Sequence, residues 1–273
     1  AMGKCGVMFK GVDLLGGDKV ICKRYTSSRE DDIERKRFEI EARTLMNLDI
    51  AGIPLAYEYP ADKNEYIADY MSGQSLTEFI TDNSEREFSW KRDKYLDILI
   101  QLADRFDMLT LEDIVHCDIK PDNIIYDQFS DQVAIVDFGS IQTNNMPGGF
   151  GTIFYSSPAQ AYIFTNLYNK NLQKSEEYNF EVRDDIYSFG VMMYEMFTGR
   201  RPYSDDLKEE TIWFAHQYGQ LHENCEYSFK RPSYYNDKID DELEAVILKS
   251  MAVKREDRYD DFYELMDELE GLK

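Results

Sequence analysis

Apolar and polar residues alternate along residues 7–25, the spacing of a half-buried strand. Val7 and Phe9 on one side, and Val20 and Cys22 on the other, flank the turn-forming run Leu15-Gly16-Gly17-Asp18. This pattern predicts a hairpin. Residues 29–48 are charged, with Ile33, Phe38, Ala42 and Leu45 as an irregular apolar stripe, which predicts a helix. Strand patterning returns at 55–59 and 66–70, and Ser72-Gly73-Gln74 breaks it. From there the chain turns helical. Ser75 and Glu78 have the spacing of a capping box that opens a short helix. A long amphipathic helix is predicted over 90–111, and short strands over 124–126 and 133–136. After a loop-rich stretch at 138–182, helices are predicted near 184–198, 208–219, 240–252 and 259–270. The organisation is a β-rich first quarter with one helix, followed by a helical remainder, an α+β chain.

Composition narrows the function classes. The 273 residues hold 31 Lys and Arg against 53 Asp and Glu, a net charge of −22. That charge repels phosphate backbones, and no basic stripe offsets it, so nucleic acid is not expected as a partner. An acidic surface suits solubility, and it would also steer a basic protein substrate. No apolar run reaches the roughly 18–20 residues of a membrane helix, and no secretory signal pattern is visible. The four cysteines, Cys5, Cys22, Cys117 and Cys225, form no CxxC pair. They read as free thiols of a reducing, cytoplasmic compartment.

The candidate chemistry lies in the run His116-Cys117-Asp118-Ile119-Lys120-Pro121-Asp122-Asn123, followed by Asp137-Phe138-Gly139. Upstream, Val20-Ile21-Cys22-Lys23 ends a strand, and Glu41 sits inside the charged helix. Taken singly, each has a plain structural explanation: a surface lysine, a solvated helix carboxylate, a packed histidine. Together, in this order, they resemble the eukaryotic-like Ser/Thr protein kinases, in particular the bacterial members. The resemblance covers essentially the whole chain as a single kinase domain. It implies a bilobal fold, with a β-rich N-lobe over 1–70, a hinge at 71–73 and a helical C-lobe over 74–273. ATP is expected in the cleft between the lobes.

The resemblance also implies roles. Asp118 orients the substrate hydroxyl and accepts its proton, and Lys120 reaches the transferring phosphate. Asn123 and Asp137 offer the hard oxygen ligands that Mg²⁺ prefers. Lys23 holds the α- and β-phosphates and is fixed by an ion pair with Glu41. Phe138 and His116 pack as supports. Ala68 guards the back of the adenine pocket and Asp69 is the hinge acid. Gly151-Thr152 and Tyr155-Ser156-Ser157-Pro158 match the substrate-docking segment, Thr152 with Lys120 being typical of the Ser/Thr branch. Asp185 is expected to cap the catalytic loop's backbone, and Arg258 matches a late structural arginine.

Four departures stand out. Counting back 17 residues from Lys23 places the last glycine of the phosphate-covering loop at Gly6 and the middle one at Gly3, with Ala1 at the first position. The family's first strand is therefore expected to be missing. Cys117 replaces the arginine that pairs with a phosphorylated activation loop, so loop phosphorylation is not expected to be needed. Ala159 stands where a glutamate normally pairs with the counterpart of Arg258. Either another carboxylate replaces it or the segment moves. Finally, 161–182 reads as an insertion, either a tolerated surface loop or a docking element.

Three functions are consistent with the sequence: an active Ser/Thr protein kinase that also phosphorylates itself, a pseudokinase acting as a binding or scaffolding module, and a small-molecule kinase. The full set Lys23, Glu41, Asp118, Lys120, Asn123 and Asp137 favours the first. The Lys120 position, the docking segment and the late helices argue against the third.

Overall fold

The structure, a computed structural model, describes residues 6–14, 16–26, 32–60, 63–144, 148–149, 151–168, 179–203 and 230–273. The chain divides into two compact units, one made of residues 1–74 and 124–139, the other of residues 75–123 and 140–273. The first is β-rich and the second helical, the α+β composition expected. The β-rich unit takes in 124–139 as well as the first quarter of the chain.

In that unit, β1 (Gly6–Val12) and β2 (Lys19–Tyr25) pair antiparallel from Gly6↔Tyr25 to Val12↔Lys19. Asp13 closes the hairpin. Its carboxylate accepts the Gly16 N–H at 2.7 Å, and its carbonyl accepts the Gly17 N–H at 2.9 Å. With β3 (Ala56–Glu58) and β4 (Glu65–Asp69) the strands form one sheet in the order β1-β2-β4-β3. Helix α1 (Asp32–Asn47) buries Phe38, Ala42 and Leu45. Ile33, expected on the same stripe, is 48% exposed. It lies five positions before Phe38, which is about 140° around a helix of 3.6 residues per turn. Glu41, three positions after Phe38, falls on the buried face instead. Beyond the two-residue strand β5 (Gln74–Ser75), where the units divide, β6 (Ile124–Asp127) and β7 (Gln132–Ile135) form a second hairpin. The Ile135 N–H donates to the Gly52 carbonyl at 2.8 Å, and Phe138 follows, fully buried.

The helical unit opens with α2 (Leu76–Asp82), whose capping box forms as expected: Ser75 Oγ accepts the Glu78 N–H at 3.2 Å, and Glu78 Oε2 accepts the Ser75 N–H at 3.0 Å. Helix α3 (Phe88–Leu111) follows. Helix α4 (Pro158–Tyr168) lies inside the stretch read from sequence as loop-rich, which is a correction. Its start is chemically ordinary: proline suits the first helical position, and Ser157 Oγ accepts the Gln160 N–H at 3.2 Å. The rest of the expected insertion, at 169–178, and the helix expected near 208–219 lie outside the described residues.

Helix α5 (Val182–Thr198) is buried from Asp184 through Tyr194 without a break, as a core helix must be. Three rings from three helices meet there. Phe106 of α3, Phe189 of α5 and Phe262 lie with centroids 5.1–6.1 Å apart, an arrangement that stabilises beyond area burial alone. The unit closes with the short α6 (Pro232–Tyr235), α7 (Asp241–Ser250) and α8 (Phe262–Gly271), which carries Phe262. Asp240 and Asp261 cap the last two, each accepting an N–H at 2.8 Å. Among the described residues no helix is long and apolar enough to cross a membrane.

Candidate active site

The expected site residues form two sets, one in each unit. In the β-rich unit, the antiparallel register places Lys23 of β2 opposite Tyr66 of β4. Both side chains reach Glu41 of α1. Lys23 Nζ lies 2.7 Å from Glu41 Oε1, and the Tyr66 hydroxyl donates to the same oxygen at 3.0 Å. Lys23 Nζ also lies 3.0 Å from Asp137 Oδ1. Asp137 holds a left-handed backbone, φ 63°, a conformation that costs energy away from glycine and is typical of functional turns.

Burial pushes the Glu41 carboxyl up, and the Lys23 ammonium and Tyr66 hydroxyl pull it back. Burial alone would lower Lys23, but the Glu41 carboxylate outweighs it and keeps the ammonium charged well past neutral pH. Burial, and then Glu41, raise the Tyr66 phenol. The result is a charged lysine fixed by two short contacts, as a phosphate-holding group requires. Tyr66 was not expected from sequence. The signal was present in the strand alternation, because Tyr66 and Ala68 share a face.

Gly6 pairs with Tyr25, and a Cβ there would come within 2.6 Å of the Arg24 carbonyl oxygen. The close approach that demands glycine is thus to the neighbouring strand. Gly3 lies outside the described residues. The Asp69 carboxylate accepts the Leu55 N–H at 3.0 Å and the Tyr57 hydroxyl. This side chain therefore serves the β3–β4 pairing. Ala68 is buried between Ile21 and Ala56 on the flanking strands. If it bounds the adenine site, Ala68→Met fills that space. We expect the variant to lose sensitivity to bulky purine-like inhibitors by about tenfold or more, since overpacking costs ~1–3 kcal/mol. Inhibition curves of the two proteins measure this, and superimposed curves would count against it.

In the helical unit the second set converges on Asp118. Its Oδ1 accepts the Thr152 N–H at 2.7 Å, and its Oδ2 accepts Lys120 Nζ at 2.8 Å and Asn123 Nδ2 at 3.1 Å. Lys120 Nζ donates also to Thr152 Oγ1 at 2.7 Å, which joins the Asp118 loop to the Gly151-Thr152 segment. Asn123 Nδ2 further bonds the Asp118 carbonyl at 2.9 Å. His116 is buried, edge-on to Phe106 at 5.8 Å, a support as expected.

Cys117 holds φ 66°, another left-handed backbone. Asp185 stabilises this strained turn, accepting the His116 and Cys117 N–H groups at 2.6 and 2.8 Å. Burial pushes the Asp185 carboxyl up to about 7, against those two donations. An unfolded aspartate titrates near 3.9, so between about pH 4 and pH 7 the folded chain holds a proton that the unfolded chain has released. The stability from this group is fully present below about pH 4 and is lost as pH rises through 7. We expect the urea midpoint of wild type to fall relative to that of Asp185→Asn between pH 5 and 8. Parallel midpoints would contradict the assignment.

Asn123 and Asp137 suit a magnesium ion by donor type. With Asn123 Nδ2 committed to Asp118, its Oδ1 is the atom left to act as a ligand, and Asp137 supplies a carboxylate. Among the described residues no group of three or more His, Cys, Asp or Glu side chains is placed to hold a metal ion by itself. Mg²⁺ keeps waters and phosphate oxygens in its shell and needs few protein ligands. When bound it would neutralise phosphate charge.

The carboxylate missing at Ala159 is replaced by Asp184 at the start of α5. Fully buried, it lies 3.5 Å from Arg258 Nη1, accepts Arg255 Nε at 3.1 Å and Arg255 Nη2 at 2.5 Å, and takes the Ser157 hydroxyl at 2.8 Å. Arg258 is further satisfied by the carbonyls of Ala252, Arg183 and Val253 at 2.7–3.0 Å, with the Tyr187 ring 4.9 Å away.

A model of the protein kinase domain matches residues 2–268. The chain is 30% identical, over its whole length, to a Clostridium acetobutylicum protein named "Probable serine/threonine-protein kinase". It is 28% identical over 87% of its length to the serine/threonine-protein kinase PrkC of Bacillus subtilis, and 27% identical over 92% to serine/threonine-protein kinase A of a Synechocystis strain. The alignments cover 38%, 33% and 47% of those relatives, so the chain spans less than half of each. With the family model across nearly every residue, the chain belongs to the protein kinase domain family.

Proposed function

We propose that this chain transfers the γ-phosphate of ATP, with Mg²⁺, to Ser and Thr hydroxyls of protein substrates, itself among them. The observation that carries this reading is the fixing of Asp118 by three donors, one of which, Lys120, also holds Thr152. Asp118 orients the substrate hydroxyl. As its oxygen bonds to the γ-phosphorus, the bond to the β–γ bridging oxygen breaks, ADP leaves, and the hydroxyl proton passes to Asp118. Lys120 stabilises the charge on the moving phosphoryl group. Lys23, charged and held by Glu41, exchanges its Asp137 contact for the α- and β-phosphates. Asn123 and Asp137 are the residues that would hold Mg²⁺. The net charge of −22 favours basic protein substrates by steering. Cys22 and Cys117, neither of them in a disulfide, suit a reducing, cytoplasmic compartment.

The test is transfer of labelled γ-phosphate from Mg-ATP to the chain and to a generic basic protein, with phosphoamino acid analysis of the product. Label on Ser or Thr supports the proposal. Absence of label, with ATP still raising Tm, would replace it with a binding-only role.

A further inference from the structure

Gln142 has a hydrogen-bonding role that the catalytic set does not include. It follows the Asp137-Phe138-Gly139 turn and is buried, 8% exposed. Its backbone pairs with Val115, just before the catalytic loop, through bonds of 2.8 and 3.1 Å. Its side-chain amide is used on both atoms. Nε2 donates to Asn179 Oδ1 at 2.9 Å and to the Phe180 carbonyl at 2.7 Å. Oε1 accepts the Phe180 N–H at 2.8 Å and the Gly148 N–H at 3.4 Å. Two donors and two acceptors on a neutral group is what a primary amide offers and a carboxylate, thioether or ammonium does not.

The three segments it joins surround Cys117. A Cβ on Gly148 would stand 2.6 Å from the Phe180 ring and 2.8 Å from Cys117 Sγ, so this segment lies directly on the catalytic loop. Three residues on, a Cβ at Gly151 would stand 2.3 Å from the Cys117 carbonyl oxygen. Thr152 then delivers its N–H to Asp118. A second amide assists: Gln160 Nε2 donates to the Cys117 carbonyl at 3.3 Å, and Gln160 Oε1 accepts the Ser157 N–H at 2.8 Å. From Asp137 to Tyr168 the sequence contains no Lys, Arg or His. Within that stretch nothing cationic is available to receive a phosphate.

We infer that Gln142 is a positioning residue for phosphoryl transfer: its amide pins Gly148 and Phe180 around Cys117, and so fixes Thr152 on Asp118 without a phosphate. This rests on the function proposed above and deepens it. Asp118 can meet a substrate hydroxyl only if its carboxylate is held, and the Thr152 N–H is one of its three restraints. Gln142 acts through that segment and touches neither nucleotide nor substrate.

The experiment compares wild type with Gln142→Met, which keeps the volume and loses all four bonds, and Gln142→Glu, which keeps the acceptors and loses both donors. Initial rates on a generic basic protein with Mg-ATP are normalised to the folded fraction, and wild type is also assayed after phosphatase treatment. We expect kcat to fall on the order of tenfold or more in Gln142→Met and by a smaller factor in Gln142→Glu. The KM for ATP should stay within about twofold, since binding and chemistry are separated in this way. Phosphatase-treated wild type should keep its rate. A folded variant with wild-type kcat, a parallel rise in the KM for ATP, or loss of the wild-type rate on dephosphorylation overturns the inference. If Gln142→Met does not fold, Gln142→Glu and the phosphatase arm decide it. A wild type that transfers phosphate beside an equally active variant defeats the role of Gln142 alone. A wild type that transfers none defeats the proposed function, and this role with it.

Discussion

Asp118→Ala is expected to abolish transfer of labelled phosphate, lowering the rate by roughly 10²–10⁴-fold, the range a positioned general base supplies. The chemistry is local. Removing the carboxylate removes the proton acceptor and releases the Thr152 N–H, Lys120 and Asn123 at once. Asp118→Asn separates these effects. An amide retains an acceptor for Lys120 or Thr152 but does not take a proton, so its activity should be nearly as low while its Tm stays closer to wild type. ATP should still raise the Tm of both variants, because Lys23, Glu41 and Asp137 belong to a different set of contacts. The measurement is γ-phosphate transfer beside a thermal-shift titration. Label accumulating at the wild-type rate in either variant would show that Asp118 is not the base.

The largest stability effect is expected at Asp184, far from the reacting groups in sequence and in role. Asp184→Ala leaves the Arg258 guanidinium, 3% exposed, without its carboxylate, removes the acceptor of the Ser157 hydroxyl, and leaves Arg255 with Glu181 as its carboxylate partner. Burial already lowers Arg258 and Asp184 opposes that, so the loss falls on a charge with no route to water. Breaking a buried pair from one side costs about 3–5 kcal/mol. Urea denaturation should show a reduced midpoint with the slope m unchanged. Asp184→Asn, which keeps a polar acceptor, should lose less. A midpoint shift worth under about 1 kcal/mol would mean that the three carbonyls around Arg258 suffice without the carboxylate. The sequence left open whether the missing glutamate at Ala159 would be replaced or its segment set loose. Replacement is what the fold shows, and the replacing carboxylate, Asp184, lies 25 residues after Ala159.

The two glutamines and Tyr66 carry a related lesson. Strand alternation put Tyr66 on the face of Ala68 and so inside, yet it gave no hint that the hydroxyl would share Glu41 Oε1 with Lys23. Gln142 carries no charge and belongs to no motif, and its three partner residues are separated from it by up to 38 residues. At Asp69, too, motif position gave no hint that the carboxylate would accept Leu55 and Tyr57 of the adjacent strand segment. Ile33 lost its place on the apolar stripe through helix geometry, and α4 starts at Pro158, where the sequence carries no clear helical periodicity.

The sequence by itself determined what depends on order and spacing. The hairpin β1–β2, the capping box at Ser75, the long α3, the helix α5, and the family membership given by Lys23, Glu41, Asp118, Asn123 and Asp137 were all legible, because periodicity and motif spacing are local properties of the chain. Tertiary structure decided which buried polar groups satisfy one another. A carboxylate, an amide or a guanidinium withdrawn from water must find a partner, and that partner is chosen by proximity in the folded chain: Asp184 for Arg258, Tyr66 for Glu41, Gln142 for Gly148 and Phe180.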